Sequence, residues 1–319
     1  MSEAEKKLSL EVSRIRELTP RIRAYELRST INTELPLVTP GSHLTLLFKT
    51  KIGKIEQRHF SICSNPNQRD FYEIAMLHEE SGNSEFVFND VAVGSQFECN
   101  IPSNNFHIHA DASPAVLIAG GIGIASIISI AYTLSARGRR FSLYYAGRSK
   151  NEMAFVDELQ KNVARHVHFY SAADDQRLDI MQVLADAPGN AYFYTCGPQK
   201  MLADIETSAR LLGIAKDRIQ QEYFYSQEQA SDKAVVLELA YSNKLIHTKP
   251  DQPLLAALRD AGVNVNFDCC VGDCGTCAVK VLEGEPEHRD HVLSEAQKAQ
   301  GFMCVCVSRA KSEKLVLAL

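Results

Sequence analysis

The sequence predicts a multidomain protein: an antiparallel β-barrel, then an α/β parallel-sheet domain, then a small cysteine-rich α+β domain. Three observations carry this reading. From Leu8 to about Ile108 the chain is a series of short β-type runs separated by turn residues. From Pro114 onward, apolar strand-like runs alternate with helical ones. Six of the nine cysteines lie at or beyond Cys269. With 319 residues the chain is also too long for a single compact core.

The bulk composition, 45% hydrophobic and 23% charged, is that of an ordinary globular protein. A formal charge of -5 offers no basic footprint, so no nucleic-acid partner is expected. The opening segment MSEAEKKLSLEVSRI lacks the apolar stretch of a secretory signal. The run Pro114–Leu134 is interrupted by Gly120, Gly121, Gly123 and several serines, and is too short to span a bilayer. The expectation is a cytoplasmic protein with no membrane attachment, and a monomer.

In the first domain LEVSRI, AYELRS, HLTLLFK, FYEIAML and FECNIP read as strands, and Thr39–Gly41 and Ser64–Asp70 as turns. Such a run of short strands suits an antiparallel barrel. In the second, AVLIAGG, FSLYYAGRS, HVHFYSAA and AYFYTCG are strands. Between and after them come the helices IASIISIAYTLSARG, NEMAFVDELQKNV, IMQVLADA and QKMLADIETSARLLG. The polar stretch SQEQASDK has no apolar periodicity and reads as a linker. AVVLELAYSNKLIHTK then reads as a hairpin, PLLAALRDAG as a helix and TCAVKVLEG as a strand. The expected boundaries are 1–110, 111–226, a linker at 227–233, and 234–319.

In a reducing compartment, clustered cysteines point to metal rather than disulfides. Cys269, Cys274 and Cys277 have the spacing C-x4-C-x2-C, and Cys306 follows with twenty-eight residues between it and Cys277. This is the plant-type ferredoxin arrangement, in which four thiolates hold a [2Fe–2S] cluster. Gly272 and Gly275 give the loop freedom to wrap it. The competing reading is zinc, which a C-x2-C unit with a distant cysteine can also hold. Cys270 and Cys304 are rival thiols that read as neighbours rather than ligands.

Arg58, Phe60, Ser61 and Ile62 belong to the segment RHFSI, of the form R-x-[YF]-S-[LI]. A flavin needs an aromatic flank, a hydroxyl at its ring edge and a cation for its phosphate, and this segment has all three. Alone, an aromatic and an arginine on a barrel strand are as readily packing and solvated surface. Gly120, Gly121 and Gly123 close one strand and open a helix, where backbone N–H groups can meet a pyrophosphate. Cys196, Gly197 and Pro198 end another parallel strand, with Met201 one turn into the next helix; Cys196 also suits a small buried position.

Taken in order, and with the signatures CGTC, LEGEPEHRD and CVSRA, these segments resemble the phthalate dioxygenase reductase family across essentially the whole chain. Its members are FMN-containing reductases that serve Rieske-type oxygenases. The resemblance implies that NADH reduces FMN, that electrons pass to the [2Fe–2S] cluster, and that a Rieske-type mono- or dioxygenase component receives them. It implies FMN contacts from Arg58, Phe60, Ser61, Ile62, Ala75 and Leu77, with Gly82 and Ser84 near the phosphate. Here SGNSEF replaces a longer arginine- and glycine-rich loop. It implies NADH contacts from Gly120, Gly121, Gly123, Arg148, Cys196, Gly197, Pro198 and Met201. Catalytic roles fall on Ser61, Cys196 and Phe224, the last through the E-x-F match Glu222-Tyr223-Phe224.

Ala125 and Ser126 stand where the family has Thr-Pro, which removes one hydroxyl and makes Ser126 the candidate replacement. Basic residues that could read a 2′-phosphate are sparse after the second α/β strand, Arg148 and Lys150 alone, which favours NADH over NADPH. His43, His59, His78 and His288 read as strand or loop histidines. Two other readings stand beside this one. The first is a reductase for a diiron hydroxylase or a P450, although diiron-type reductases usually begin with the ferredoxin module. The second is a non-enzymatic module stabilised by zinc.

Overall fold

The computed structural model describes residues 7–49, 55–78, 91–224, 232–250, 252–267, 270, 272, 274–290 and 292–319. It divides into two compact units, Met1–Glu222 and Tyr223–Leu319.

The first unit opens with seven strands: β1 (Lys7–Thr19), β2 (Ile22–Ser29), β3 (Ser42–Lys49), β4 (Ile55–Ser61), β5 (Tyr72–Leu77), β6 (Gln96–Asn100) and β7 (Ser103–Asn104). They pair in the order β4-β3-β6-β1-β2-β5, with β7 on β3, and every pairing is antiparallel. The outer strands of this path meet again just past β4. Ile62 bridges Ile74 of β5, and the Cys63 N–H donates to the Glu73 carbonyl at 2.7 Å. The sheet is therefore a nearly closed barrel, which leaves little unpaired edge. Leu10, Val12, Tyr25, Leu27, Leu44, Leu46, Ile62 and Ile74 fill it, each no more than 1% exposed.

Five parallel strands follow: β8 (Ala115–Gly120), β9 (Phe141–Gly147), β10 (Val167–Ser171), β11 (Tyr192–Cys196) and β12 (Ile219–Glu222). Their order is β10-β9-β8-β11-β12. Helices α1 (Ile124–Ala136), α2 (Val156–Val163), α3 (Ile180–Ala185) and α4 (Gln199–Leu211) connect them. Every residue of β8 is buried, as the central strand of a sheet covered on both faces must be. The order reverses beside β8, so a crevice opens where β8 and β11 end, the place such sheets bind ligands.

Two features of this half differ from the sequence reading. β12, only four residues long, adds a fifth strand. NEMAFVDELQKNV does not form one helix: Phe155 takes φ 59°, and α2 begins after it. Its ring is buried, and that packing holds a backbone conformation that aromatic residues rarely adopt. Among the contacts that join the barrel to this layer are an arginine bridge and a backbone hydrogen bond. Arg16 of β1 bridges Glu73 of β5 at 2.8 Å and Glu158 of α2 at 2.7 Å. The Gly41 N–H donates to Ser129 Oγ of α1 at 3.1 Å.

The second unit contains β13 (Val236–Leu239), β14 (Lys244–His247), α5 (Leu254–Asp260), β15 (Ala278–Glu283), β16 (Pro286–Glu287), α6 (Glu295–Ala299), β17 (Phe302–Cys304), β18 (Arg309–Ala310) and β19 (Lys314–Leu317). The main sheet runs β14-β13-β19-β15-β17, with β16 and β18 paired separately. α6 begins with a capping box, Ser294 to Gln297, which satisfies N–H groups at its first turn. Leu237, Leu239, Leu254, Leu258, Met303 and Leu315 form its core, all fully buried. No helix among the described residues of either unit is long and apolar enough to cross a membrane.

The tightest backbone contact at the crevice of the first unit is at Gly123. A Cβ there would lie 2.3 Å from the Cys196 carbonyl oxygen, and backbone cannot swing aside as a flexible side chain can. Gly123→Ala is therefore expected to lower stability by about 2 kcal/mol, in the range of other overpacking substitutions. Urea denaturation checks it; an unchanged midpoint would mean that the strand ends have slack.

Candidate cofactor sites

The barrel end of the first site is set by the pairing of β3 and β4. His43 lies opposite Ser61, Thr45 opposite His59, and Leu44 opposite Phe60. Alternate residues of a strand face opposite ways. Phe60 accordingly turns to the barrel core, edge-on to Phe48 at 6.1 Å, and Ile62 is wholly inside that core. Ser61 and His59 face the other way. His59 Nδ1 shares a hydrogen with Thr45 Oγ1 at 2.9 Å, and the His43 and His59 rings meet edge-to-face. Ser61 is 5% exposed.

Ser61 is the meeting point of barrel and sheet. Its hydroxyl donates to Glu222 Oε2 at 3.3 Å and lies 3.1 Å from Ser126 Oγ. Ser126, fully buried in the first turn of α1, donates in turn to Cys196 Sγ at 3.5 Å. Glu222, at the end of β12, has no place among the sequence-derived site residues beyond its part in the E-x-F match, yet it is the acid of the group. Part of the residue reaches solvent, but burial of its carboxyl pushes the pKa up, against hydrogen bonds from Ser126 and Ser61 and the nearby His43.

The crevice floor is glycine because no side chain fits. At Gly120 a Cβ would meet Pro198 Cδ at 2.7 Å and Met201 Sδ at 2.9 Å; at Gly197 it would meet Met201 Cε at 2.3 Å. Gly121 is the opposite case. It takes φ +54° with nothing within 4 Å of a Cβ, so its backbone faces open space at the start of the helical turn. That is a surface a pyrophosphate can approach. The residues present therefore fit a flavin edge at Ser61 and a dinucleotide at Gly121. Arg148 follows β9, and Lys150 pairs with Asp174 at 3.2 Å.

Other candidates lie further from this group or outside it. Ala75 is buried opposite Ala24, and Leu77 is half-buried opposite Ile22. Arg58 is half-buried opposite Leu46. Gly82 and Ser84 lie outside the described residues. Phe224 falls in the second unit, which begins at Tyr223.

In the second unit β15 pairs with β17, so that Ala278 sits opposite Cys304. This brings Cys277 beside Cys304 and Cys306, which are distant in sequence; the Val305 N–H donates to the Cys277 carbonyl at 3.3 Å. Hydrogen bonds from the Cys304 and Cys306 thiols hold the Cys277 thiol below its ordinary value, and the hydrogen bond to Cys277 with burial pushes Cys304 up. Sulfurs that converge in this way suit a multi-iron site. Cys270 and Gly272 take φ +56° and +84°, the turns that fold the loop back. Cys274 is half-buried in the same loop, and Cys269 lies outside the described residues. Among the described residues no three His, Cys, Asp or Glu side chains form a single-ion site.

The raised pKa of Glu222 has a consequence for stability. The folded state keeps a proton that the unfolded chain releases above about 4.5. The associated stability is present below that pH and is lost as pH rises through the raised value. Glu222→Gln is therefore expected to gain on the wild type as pH rises from that range. Urea denaturation across pH checks this, and a constant difference would mean that Glu222 is ionised throughout.

Residues 237–311 match the 2Fe-2S iron-sulfur cluster binding domain family. The chain is 33% identical to a vanillate O-demethylase oxidoreductase of Acinetobacter baylyi, over 97% of this chain and 98% of that one. It is also 33% identical to a carnitine monooxygenase reductase subunit of Escherichia coli, over 97% and 98%. Among solved structures it resembles phthalate dioxygenase reductase, described as a modular structure for electron transfer from pyridine nucleotides to [2Fe-2S]. That match has a TM-score of 0.79 and 29% identity, over 98% of each chain. With Ser61, Cys196 and the glycine crevice in the first unit and the cysteine loop in the second, the chain belongs to the phthalate dioxygenase reductase family.

Proposed function

We propose that this chain is the NADH-dependent reductase of a Rieske-type oxygenase system, with FMN and a [2Fe–2S] cluster as its resident cofactors. The observation that carries the reading is the pairing, in one chain, of the Ser61–Ser126–Cys196–Glu222 group with a separate loop of converging thiols. When bound, FMN would supply the conversion between a two-electron hydride donor and the single electrons that an iron–sulfur acceptor requires.

The chain's own residues position and insulate. Gly120, Gly121 and Gly123 admit the dinucleotide close to the backbone, and Gly197, Pro198 and Met201 wall the crevice. Cys196 would lie near the nicotinamide and Ser61 would hold the flavin edge, with its hydroxyl steered by Ser126 and Glu222. Arg58, with Gly82 and Ser84, would meet the FMN phosphate, and Phe60, Ile62, Ala75 and Leu77 would shape the ring's barrel side. Cys269, Cys274, Cys277 and Cys306 hold the cluster. The Lys150–Asp174 pair occupies a cation that could otherwise read a 2′-phosphate, which supports NADH over NADPH. The protein acts as a cytoplasmic monomer, and the partner oxygenase, not this chain, chooses the substrate.

Two measurements test this. The purified protein should show flavin absorption overlaid by a broader iron–sulfur band at longer wavelength. NADH should reduce it, and a Rieske-type oxygenase should reoxidise it faster than a P450 does. A colourless, zinc-containing protein would falsify the reading, and a preference for the P450 would change the partner. Within the cysteine set, Cys277→Ser and Cys306→Ser should lose the iron–sulfur band, whereas Cys270→Ser and Cys304→Ser should keep it. If Cys304→Ser loses the band while Cys306→Ser keeps it, the fourth ligand has been misassigned.

A further inference from the structure

The motifs LEGEPEHRD and CVSRA each contribute an arginine to one buried ion cluster, and the acid they share comes from the start of the second unit. Asp232 reaches Arg289 Nη1 at 3.1 Å and Nη2 at 2.5 Å, and lies 3.5 Å from Arg309 Nε. The three side chains are 3%, 3% and 4% exposed. Glu287 adds a further bond to Arg289 at 3.0 Å. Burying paired charges contributes little stability on balance, and its best-attested use is to fix one arrangement of the chain against others. An ordinary solvated linker residue would need none of this.

The same arginines lead to the cysteine loop. Arg309 Nη1 donates to the carbonyls of Val307 at 3.2 Å and Ser308 at 3.3 Å, the two residues after Cys306. The Arg289 N–H donates to Ser308 Oγ, which donates to Asp290 Oδ1, both at 3.3 Å. Gly272, inside the cysteine loop, is pressed against these residues. A Cβ there would lie 2.8 Å from Val307 Cγ2 and 3.0 Å from Asp290 Cα. Thus the wall that receives Asp232 is also the wall that backs the cysteines.

We propose that Asp232 is a positioning residue for electron transfer between flavin and cluster: its carboxylate pins the entering chain to the wall behind the cysteine loop, giving the interdomain tether a fixed end. This rests on the function proposed above. Without the pin, the next fixed points are the Val235 N–H, held by Thr248 Oγ1 at 3.0 Å, and the Val236 N–H, held by the Glu313 carbonyl at 3.0 Å. The tether then gains three residues of slack, and the effective concentration of one site at the other falls as tether length grows.

Asp232→Asn in the full-length protein tests this with two readouts. Under native conditions trypsin should cut between Lys233 and Ala234 at least tenfold faster than in the wild type, as followed by mass spectrometry. In stopped flow, flavin reduction by NADH should keep its wild-type rate while the cluster is reduced about 1.5- to 2-fold more slowly, with its absorption unaltered. Should the variant lose its cluster, paired insertions decide instead. Two glycines placed before Asp232 should slow cluster reduction, and the same two placed after Lys233 should leave it unchanged; equal behaviour overturns the proposal. A wild-type protein with no flavin or iron–sulfur absorption would defeat the proposed function itself. A wild-type protein with both, matched by Asp232→Asn in cleavage and transfer, would defeat only the pin.

Discussion

At the crevice of the first unit, two backbones touch with no side chain between them. Gly123 lies against the Cys196 carbonyl, and Gly120 and Gly197 approach each other around Met201. This contact lets β8 and β11 end side by side and starts α1 directly over the gap. Three residues further along α1, Ser126 then arrives at both Ser61 and Cys196. A larger residue at Gly123 would push α1 away, and the hydroxyls of barrel and sheet would no longer meet. The site therefore depends on a packing fact rather than on any one reactive group.

Glu222 shows what such a setting does to chemistry. A carboxyl at the end of an edge strand would ordinarily be solvated and ionised. Here the barrel covers it, burial raises its pKa, and two serine hydroxyls and His43 partly offset that rise. Its partner Ser61 sits in the face of β4 that turns away from the barrel core, while Phe60 and Ile62 turn into it. One strand thus serves the core with one face and the site with the other.

The second unit solves a different problem. Cys277 and Cys306 lie at the same end of the antiparallel β15–β17 pairing, one just before β15 and the other just after β17, so the sheet itself brings them together. Among the described residues of the loop that carries Cys274, Cys270, Gly272 and Gly275 take positive φ, which turns the chain tightly. Behind it the wall carries charge: Arg289 and Arg309 meet Asp232, Ser308 donates to Asp290, and Arg309 donates to the Val307 carbonyl.

Much of this was legible in the amino-acid order. The alternation from Pro114, the glycines that end AVLIAGG, the CGP turn and the C-x4-C-x2-C spacing are local patterns, and local patterns carry strand type, turn type and thiol spacing. β12 escaped because four residues show no period, and the break at Phe155 because only its buried ring makes that backbone tolerable. Asp232 read as part of a solvated stretch because its partners lie fifty-seven and seventy-seven residues away. The sequence by itself determined which residues could bind, turn or hold iron. Only the tertiary structure decided which polar groups would lose their water, because desolvation and pairing depend on neighbours that the chain brings together from afar. That is why Glu222 and Asp232 took on roles that no local pattern assigned them.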